Sequence, residues 1–219
     1  MMEGAVKTLE PTAERLAFRF VSGHRALDFL ATFADRHRQG VERLRQPADL
    51  DRWLRAAGLP ASRTASARDL DHARRLREAI NRLARASMQG KSGDRKDITC
   101  LNEWARRSQL APQLDREFHR SWRSPDPVGG ALALIAREAV ELLSGPEREL
   151  IRECAAAPAC SLLYLDRSRG RRRRWCEMER CGSRAKMSDY RQRQATRSDT
   201  DPAPSGRNPT GQPRPAPSA

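Results

Sequence analysis

Four of the five cysteines in this 219-residue chain fall in one stretch, Cys154 to Cys181, as two close pairs. Cys154 and Cys160 have five residues between them, Cys176 and Cys181 have four, and fifteen separate the pairs. Pairs at that distance can fold back on each other and complete a single tetrahedral thiolate site. Thiolate sulfur is soft and no redox role is called for, so the spacing predicts one structural zinc held by Cys154, Cys160, Cys176 and Cys181. An iron–sulfur cluster, which usually shows tighter spacings, is the alternative. Four cysteines fill the coordination shell, whereas a catalytic zinc keeps a position open for water and usually has histidine among its ligands. His24, His37, His72 and His119 all lie outside the stretch. The chain is therefore read as a binding protein and not an enzyme. Two disulfides are the competing account of the cysteines, but they need an oxidising compartment. The leading MMEGAVKTLEPTAERLAFRF has no apolar run of an export signal, so a cytoplasmic setting is expected. Cys100 stands alone in a helical pattern and reads as a buried small hydrophobe.

The elements that must position these ligands are short. Leu162, Leu163 and Leu165 read as a strand, 166–170 as a turn, and Arg171 to Trp175 as a returning strand. Gly182 permits a close backbone approach, and Ser183 can cap a helix running to about Gln194. Knuckle, hairpin and helix together describe a treble-clef-like finger, too small to hold itself folded without the metal. Trp175, beside a ligand cysteine, is expected to shield the site rather than to stack on bases.

Upstream the pattern is helical. A strand is expected over Leu16 to Val21, then a helix with Ala26, Leu27, Leu30, Phe33 and Ala34 on its apolar face. His24 reads as a residue of that helix start. Asp28, inside the apolar stretch, is a ligand-binding candidate or, preferably, a paired or capping carboxylate. Pro47 opens a second helix with Leu50, Trp53 and Leu54 inward, and Gly58 follows it. A third runs from about Ser66 to Met88, its arginines Arg74, Arg75, Arg77, Arg82 and Arg85 reading as a solvated face because acidic residues interrupt them. GKSGD at 90–94 is a loop without the glycine spacing of a phosphate-binding loop, and Asp94 can cap a fourth helix that uses Ile98, Leu101 and Trp104. Residues 111–127 form a short strand pair or an irregular helix around Leu114, Phe118 and Trp122. Val128 to Ser144 is a strong last helix stopped by Gly145 and Pro146. The fold class is thus mainly α: a lead-in at 1–14, a helical domain at 15–148, a finger at 149–195, and a Pro-, Ser- and Gly-rich tail at 196–219 expected to be disordered.

Two ends of the chain carry a resemblance. RRRRWCEMERCGSRAK, with Cys154, Cys160 and the intervening YLDRSRG, resembles the bacterial CGNR zinc-finger family, with Ser183 in place of the family asparagine. FRFVSGHRALDFLATFADR resembles the opening of the ABATE domain that precedes this finger in the same family, with Ala31 where asparagine is common. The family is regarded as stress-induced transcription regulators, and the resemblance implies that role here.

Charge points the same way. The formal net charge is +14, and from Ile151 to Arg197 there are thirteen Arg or Lys against five Asp or Glu. Clustered positive charge needs an anionic partner, nucleic acid ahead of a membrane surface, and no run is apolar and long enough to cross a membrane. Arg171, Arg172, Arg173 and Arg174 form an arginine-rich hairpin suited to phosphates. Arg184 and Arg191 lie seven apart on one side of the last helix, with Lys186 and Arg193 repeating the spacing on an adjacent side. The expectation is a bacterial cytosolic DNA-binding regulator, nucleoid-associated, whose finger contacts DNA and whose helical domain senses a small ligand or forms a homodimer. An adaptor docking an acidic protein, or an RNA-binding module, is the alternative. A finger nuclease is disfavoured because the finger holds no histidine base.

Overall fold

The computed structural model describes residues 12–60, 64–108 and 110–198, with the side chains of 195–198 excepted. Most of the lead-in (1–11) and of the tail (199–219) lies outside the described residues. The described residues up to Gly182 form one compact unit and those from Ser183 to Ser198 a second.

The first unit is built around α6 (Pro127–Ser144), which buries Val128, Ala131, Leu132, Ile135, Ala136 and Ala139. Pro127 presets its first turn, and the Asp126 carboxylate accepts a hydrogen bond from Gly129 N at 3.1 Å. At its far end a side chain on Gly145 would stand 2.7 Å from the Glu141 carbonyl, so the chain turns out there. Against α6 pack α2 (Arg25–Leu30), α4 (Ala67–Met88) and α5 (Arg95–Ala105), while α3 (Pro47–Ala56) lies on α4. Their apolar stripes make one core, with Phe29, Trp53, Leu76, Ile80 and Leu132 fully buried. The starts are those the sequence predicts. Ser66 and Asp69 form a reciprocal capping box at α4, Asp94 caps α5, and His24 Nδ1 accepts from Ala26 N at 3.2 Å to cap α2.

Four expectations are corrected. Residues 16–21 are not a strand: a short helix α1 (Ala13–Leu16) precedes extended chain, which bonds to the rest through Ser22, whose carbonyl accepts from Leu165 N at 2.8 Å. The helix expected to include Phe33 and Ala34 stops at Leu30, because Thr32 turns its amide and hydroxyl back onto the Phe29 carbonyl. Phe33–Ala34 then form β1, antiparallel to β2 (Val41–Glu42). Ile98 on α5 is 42 % exposed rather than core. The arginine face of α4 is only partly solvated. Arg77 is 3 % exposed and bidentate to Glu42, Arg82 is bidentate to Asp97, and Arg85 reaches Glu153. Among those five arginines, Arg75 and Arg82 are exposed and fit the solvated reading, Arg75 with an exposed partner in Asp71.

Of the two readings for 111–127, the strand pair is right: β3 (Ala111–Leu114) and β4 (Arg120–Arg123) make an exposed antiparallel hairpin. Cys100 is half-buried against the core, and Asp28 is a capping carboxylate, accepting from Ser22 N at 3.0 Å. Burial pushes the Asp28 carboxyl above its ordinary value despite that bond.

Candidate metal centre

The cysteines hang on a different hairpin from the one their sequence suggests. After α6 a 3-10 turn (Pro146–Leu150) leads into β5 (Ile151–Glu153), which precedes Cys154 and pairs antiparallel with β6 (Leu163–Leu165), Ile151 opposite Leu165. Arg171 to Trp175 is not a strand. Asp166 collects the Ser168 and Arg173 amides and tightens the turn, Arg171 takes a positive φ, and the Arg174 carbonyl is used across the knuckle by Ala155 N at 2.8 Å. The returning segment therefore crosses the knuckle instead of running beside β6.

Side chains alternate across a strand, and β6 uses both faces. Leu163 and Leu165 enter the helical core, whereas Leu162 and Tyr164 join a second, smaller core made of the four cysteines, Ala31 and the flank of Trp175. The Tyr164 hydroxyl donates to the Arg173 carbonyl at 2.5 Å, and burial pushes its pKa up to about 12.

The two pairs converge. The Sγ atoms of Cys154, Cys160, Cys176 and Cys181 all lie within 4.8 Å of one another, with Cys160 to Cys176 at 3.8 Å and Cys176 to Cys181 at 3.6 Å. A tetrahedron with Zn–S bonds of about 2.3 Å has sulfurs about 3.8 Å apart, so the donor set fits zinc. All four are buried. The first pair sits on a tight knuckle in which Cys160 N donates to the Ala156 carbonyl at 3.1 Å, and Cys154 N donates to the Leu162 carbonyl at 3.0 Å. Cys181 is carried by a π-helical turn (Met178–Gly182), in which both Cys181 N and Gly182 N reach the Glu177 carbonyl. Gly182 is needed there: a Cβ would overlap Met178 Sδ and press on the Trp175 ring at 3.4 Å. Hydrogen bonds from the other thiols and the Cys176 amide push Cys154 down, while hydrogen bonding to Cys154, with burial behind it, pushes Cys160 and Cys176 up. Apart from a cation, four thiols this close cannot all ionise. A divalent ion reverses that, because it favours every thiolate at once.

Sequence reading missed the cations around this centre. Arg43, 5 % exposed, donates to the Ala31 carbonyl at 2.5 Å and the Arg15 carbonyl at 2.8 Å, and among the described residues no carboxylate forms an ion pair with it. Burial, then the nearby Arg19 and Arg180 cations, bring its pKa down to about 10. Arg19 pairs with Glu177, next to Cys176; burial pulls its pKa down, but the Cys176, Glu177 and Cys181 charges outweigh it and leave it raised. A four-thiolate zinc carries net negative charge, which these guanidinium groups offset. Nothing in the sequence Val41-Glu42-Arg43-Leu44-Arg45 signals this role; only the fold brings Arg43 under Ala31.

The knuckle is also tied to the helical core. Arg85 of α4 donates to the Ser161 carbonyl at 3.1 Å and to Glu153 at 2.9 Å, and His37 meets the same Glu153 carboxylate at 2.6 Å.

The predicted nucleic-acid contacts divide. Arg171, Arg172 and Arg174 are exposed and Arg174 lies over the Trp175 ring, 5.0 Å from its centroid. Arg173 is exposed as well, but its guanidinium is engaged: it lies over Tyr164 at 4.7 Å, donates to the Trp175 carbonyl at 2.9 Å and also bonds the Cys176 carbonyl, so it braces the finger. In the second unit α7 (Ser183–Ser198) starts at Ser183 itself and extends past the expected end. Arg184, Lys186, Arg191 and Arg193 are all exposed on it. Residues two apart on an α-helix are separated by about 200°. Lys186 and Arg193 therefore lie nearly opposite Arg184 and Arg191, not on an adjacent side.

Fold and site together define a mainly helical protein carrying a structural four-cysteine zinc finger. The chain belongs to the ABATE family, described as "Putative stress-induced transcription regulator", whose profile matches residues 23–146. The CGNR zinc finger profile matches residues 151–194, so the centre binds one structural zinc. No curated protein matches the chain. No helix among the described residues is long and apolar enough to cross a membrane.

Proposed function

We propose that the protein is a non-enzymatic, DNA-binding transcription regulator of the bacterial cytoplasm, in which the zinc-held finger presents cationic side chains to the duplex. The observation that carries this reading is the exposure of Arg171, Arg172 and Arg174 next to the zinc core and of Arg184, Lys186, Arg191 and Arg193 along α7. Exposed guanidinium and ammonium groups that form no ion pair with a described residue can neutralise phosphates and displace counterions. The opposite stripes of α7 suit a helix lying in a major groove, where the two phosphate backbones flank it on both sides. A filled thiolate shell supports a structural metal and not a hydrolytic one. Arg173 is assigned to the finger's own architecture.

The test is selection of bound duplexes from a random DNA pool across a salt series with zinc-loaded protein. An enriched motif that survives near physiological ionic strength supports the reading, together with loss of binding in Cys176→Ser. Binding that disappears with salt without enrichment, or that persists in the zinc-free variant, overturns it and turns the search to RNA. One observation favours the adaptor reading: the β3–β4 hairpin exposes Leu114 and Phe118, the latter 83 % exposed at its tip. If the hairpin docks a protein, Phe118→Asp abolishes that complex while leaving DNA binding intact.

A further inference from the structure

A cavity of about 500 Å³ opens in the helical part, away from the cysteines. It lies where the end of α4 and its loop to α5 meet the last turns of α6 and the 3-10 turn after it. Its apolar wall is Leu83, Leu101, Val140 and Leu143, the first two buried and the others half-buried. Ile98 completes the wall but stays 42 % exposed, an apolar surface left to water on an otherwise well-partitioned helix. Gly93 shapes the mouth: a Cβ there would stand 2.6 Å from Leu83 Cδ2 and 3.2 Å from Ile98 Cδ1, so the loop can close down on the wall only without a side chain. Gly90, at φ +66°, makes the preceding turn.

The rim is cationic. Lys91 and Arg148 border the cavity from opposite elements, and neither takes part in an ion pair with a described residue, in contrast to Arg77, Arg82 and Arg85 on the adjoining helix. Helix C-termini favour nearby cations, and both groups stand just beyond one. That accounts for the charges but not for the roomy apolar space between them. Ser87 and Asn102 add a hydroxyl and an amide to the lining. The volume lies within the range of small-molecule sites, and apolar walls with a few placed polar groups are how such sites combine affinity with orientation.

The geometry points to a binding site for a small amphipathic anion, an aromatic or branched apolar body bearing one carboxylate or sulfonate. The body packs against Leu83, Leu101 and Val140, and the anionic group sits between Lys91 and Arg148. The site stands whether or not the finger contacts DNA. Arg148 belongs to the turn that leads directly into β5 and Cys154, so an occupant that engages it orders the segment entering the finger.

Titration calorimetry of the zinc-loaded full chain tests this with 2-naphthoate, its neutral counterpart 2-naphthamide, and acetate. Saturable one-to-one binding of naphthoate is expected, with naphthamide roughly tenfold weaker and acetate without measurable heat, since a charge-assisted contact is lost in one and the apolar body in the other. The double variant Lys91→Glu, Arg148→Glu should erase the preference for naphthoate. Arg171→Glu, Arg172→Glu should leave it unchanged, which separates the cavity from general attraction to a chain of net charge +14. Leu143→Trp, at a half-buried wall position, should fill the space and abolish binding while its thermal unfolding shows that it folds. No saturable binding, equal affinity for naphthoate and naphthamide, or naphthoate affinity unchanged in the Lys91, Arg148 variant overturns the assignment.

Discussion

The two cores of this protein share a strand and little else. The helical core is held by Leu, Ile, Trp and Phe side chains from five helices, so its stability is spread over many contacts, each replaceable at modest cost. The cysteine core has seven buried residues, four of them ligands, and one ion bonded to all four supplies what packing cannot. β6 divides them with its alternating faces, and Arg85 and His37 fasten them through Glu153. Redundancy in one core and concentration in the other predict different responses to single changes.

The largest effect is expected from the metal. Cys176→Ser, or chelation, removes a binding free energy of order 10 kcal/mol. Amides of Cys154, Cys160 and Cys181 should lose hydrogen-exchange protection while α4 and α6 keep theirs. Loss of protection in α4 as well would break the comparison and make the two cores one cooperative unit. Next, Leu163→Ala on the helical face of β6 should cost about 3 kcal/mol of unfolding free energy by cavity formation, measured by denaturant titration, with zinc affinity retained. A large fall in zinc affinity instead would mean that β6 transmits packing defects to the centre.

Arg43→Met sharpens the contrast from the other side. It removes a cation that offsets the thiolate charge, and zinc affinity by chelator competition should fall at least tenfold, about the size of outer-shell effects at metal sites. Glu78 gives a pH-dependent test in the helical part. Burial raises its pKa, but the Arg36 hydrogen bonds and the Arg36 and Arg77 charges outweigh it and leave it lowered from 4.5. A depressed carboxylate stabilises the fold fully above that ordinary value and loses its contribution as pH falls through the folded value. Glu78→Gln should therefore cost about 2 kcal/mol at neutral pH, and the gap to the parent protein should close in acid. The smallest effect belongs to the exposed Arg75–Asp71 pair: Arg75→Ala should shift stability by about 0.5 kcal/mol or less.

Much of the site was legible because ligand chemistry is a property of residue type and spacing. The two cysteine pairs, the shielding Trp175 and the glycine before α7 are readable along the chain. The capping residues Ser66 and Asp94 were equally visible, since a cap acts within one turn. The hairpin was misassigned because local pattern cannot say which of two flanking segments pairs with β6, and Ile151–Glu153 is only three residues long. Arg173 resembles its neighbours in sequence, yet the nearby Tyr164 ring and two backbone carbonyls engage its guanidinium.

By itself the sequence determined the zinc ligands, the helical character, the helix starts and the concentration of positive charge near the C-terminal end, all consequences of interactions within a few residues or of composition. Only the tertiary structure decided that β6 serves two cores, that Arg19 and Arg43 approach the thiolates, that Arg85 and His37 hold the knuckle, and that Lys91 and Arg148 face one cavity. Each of these joins residues tens of positions apart, and chain spacing carries no record of which distant groups share a desolvated space where charge must be matched.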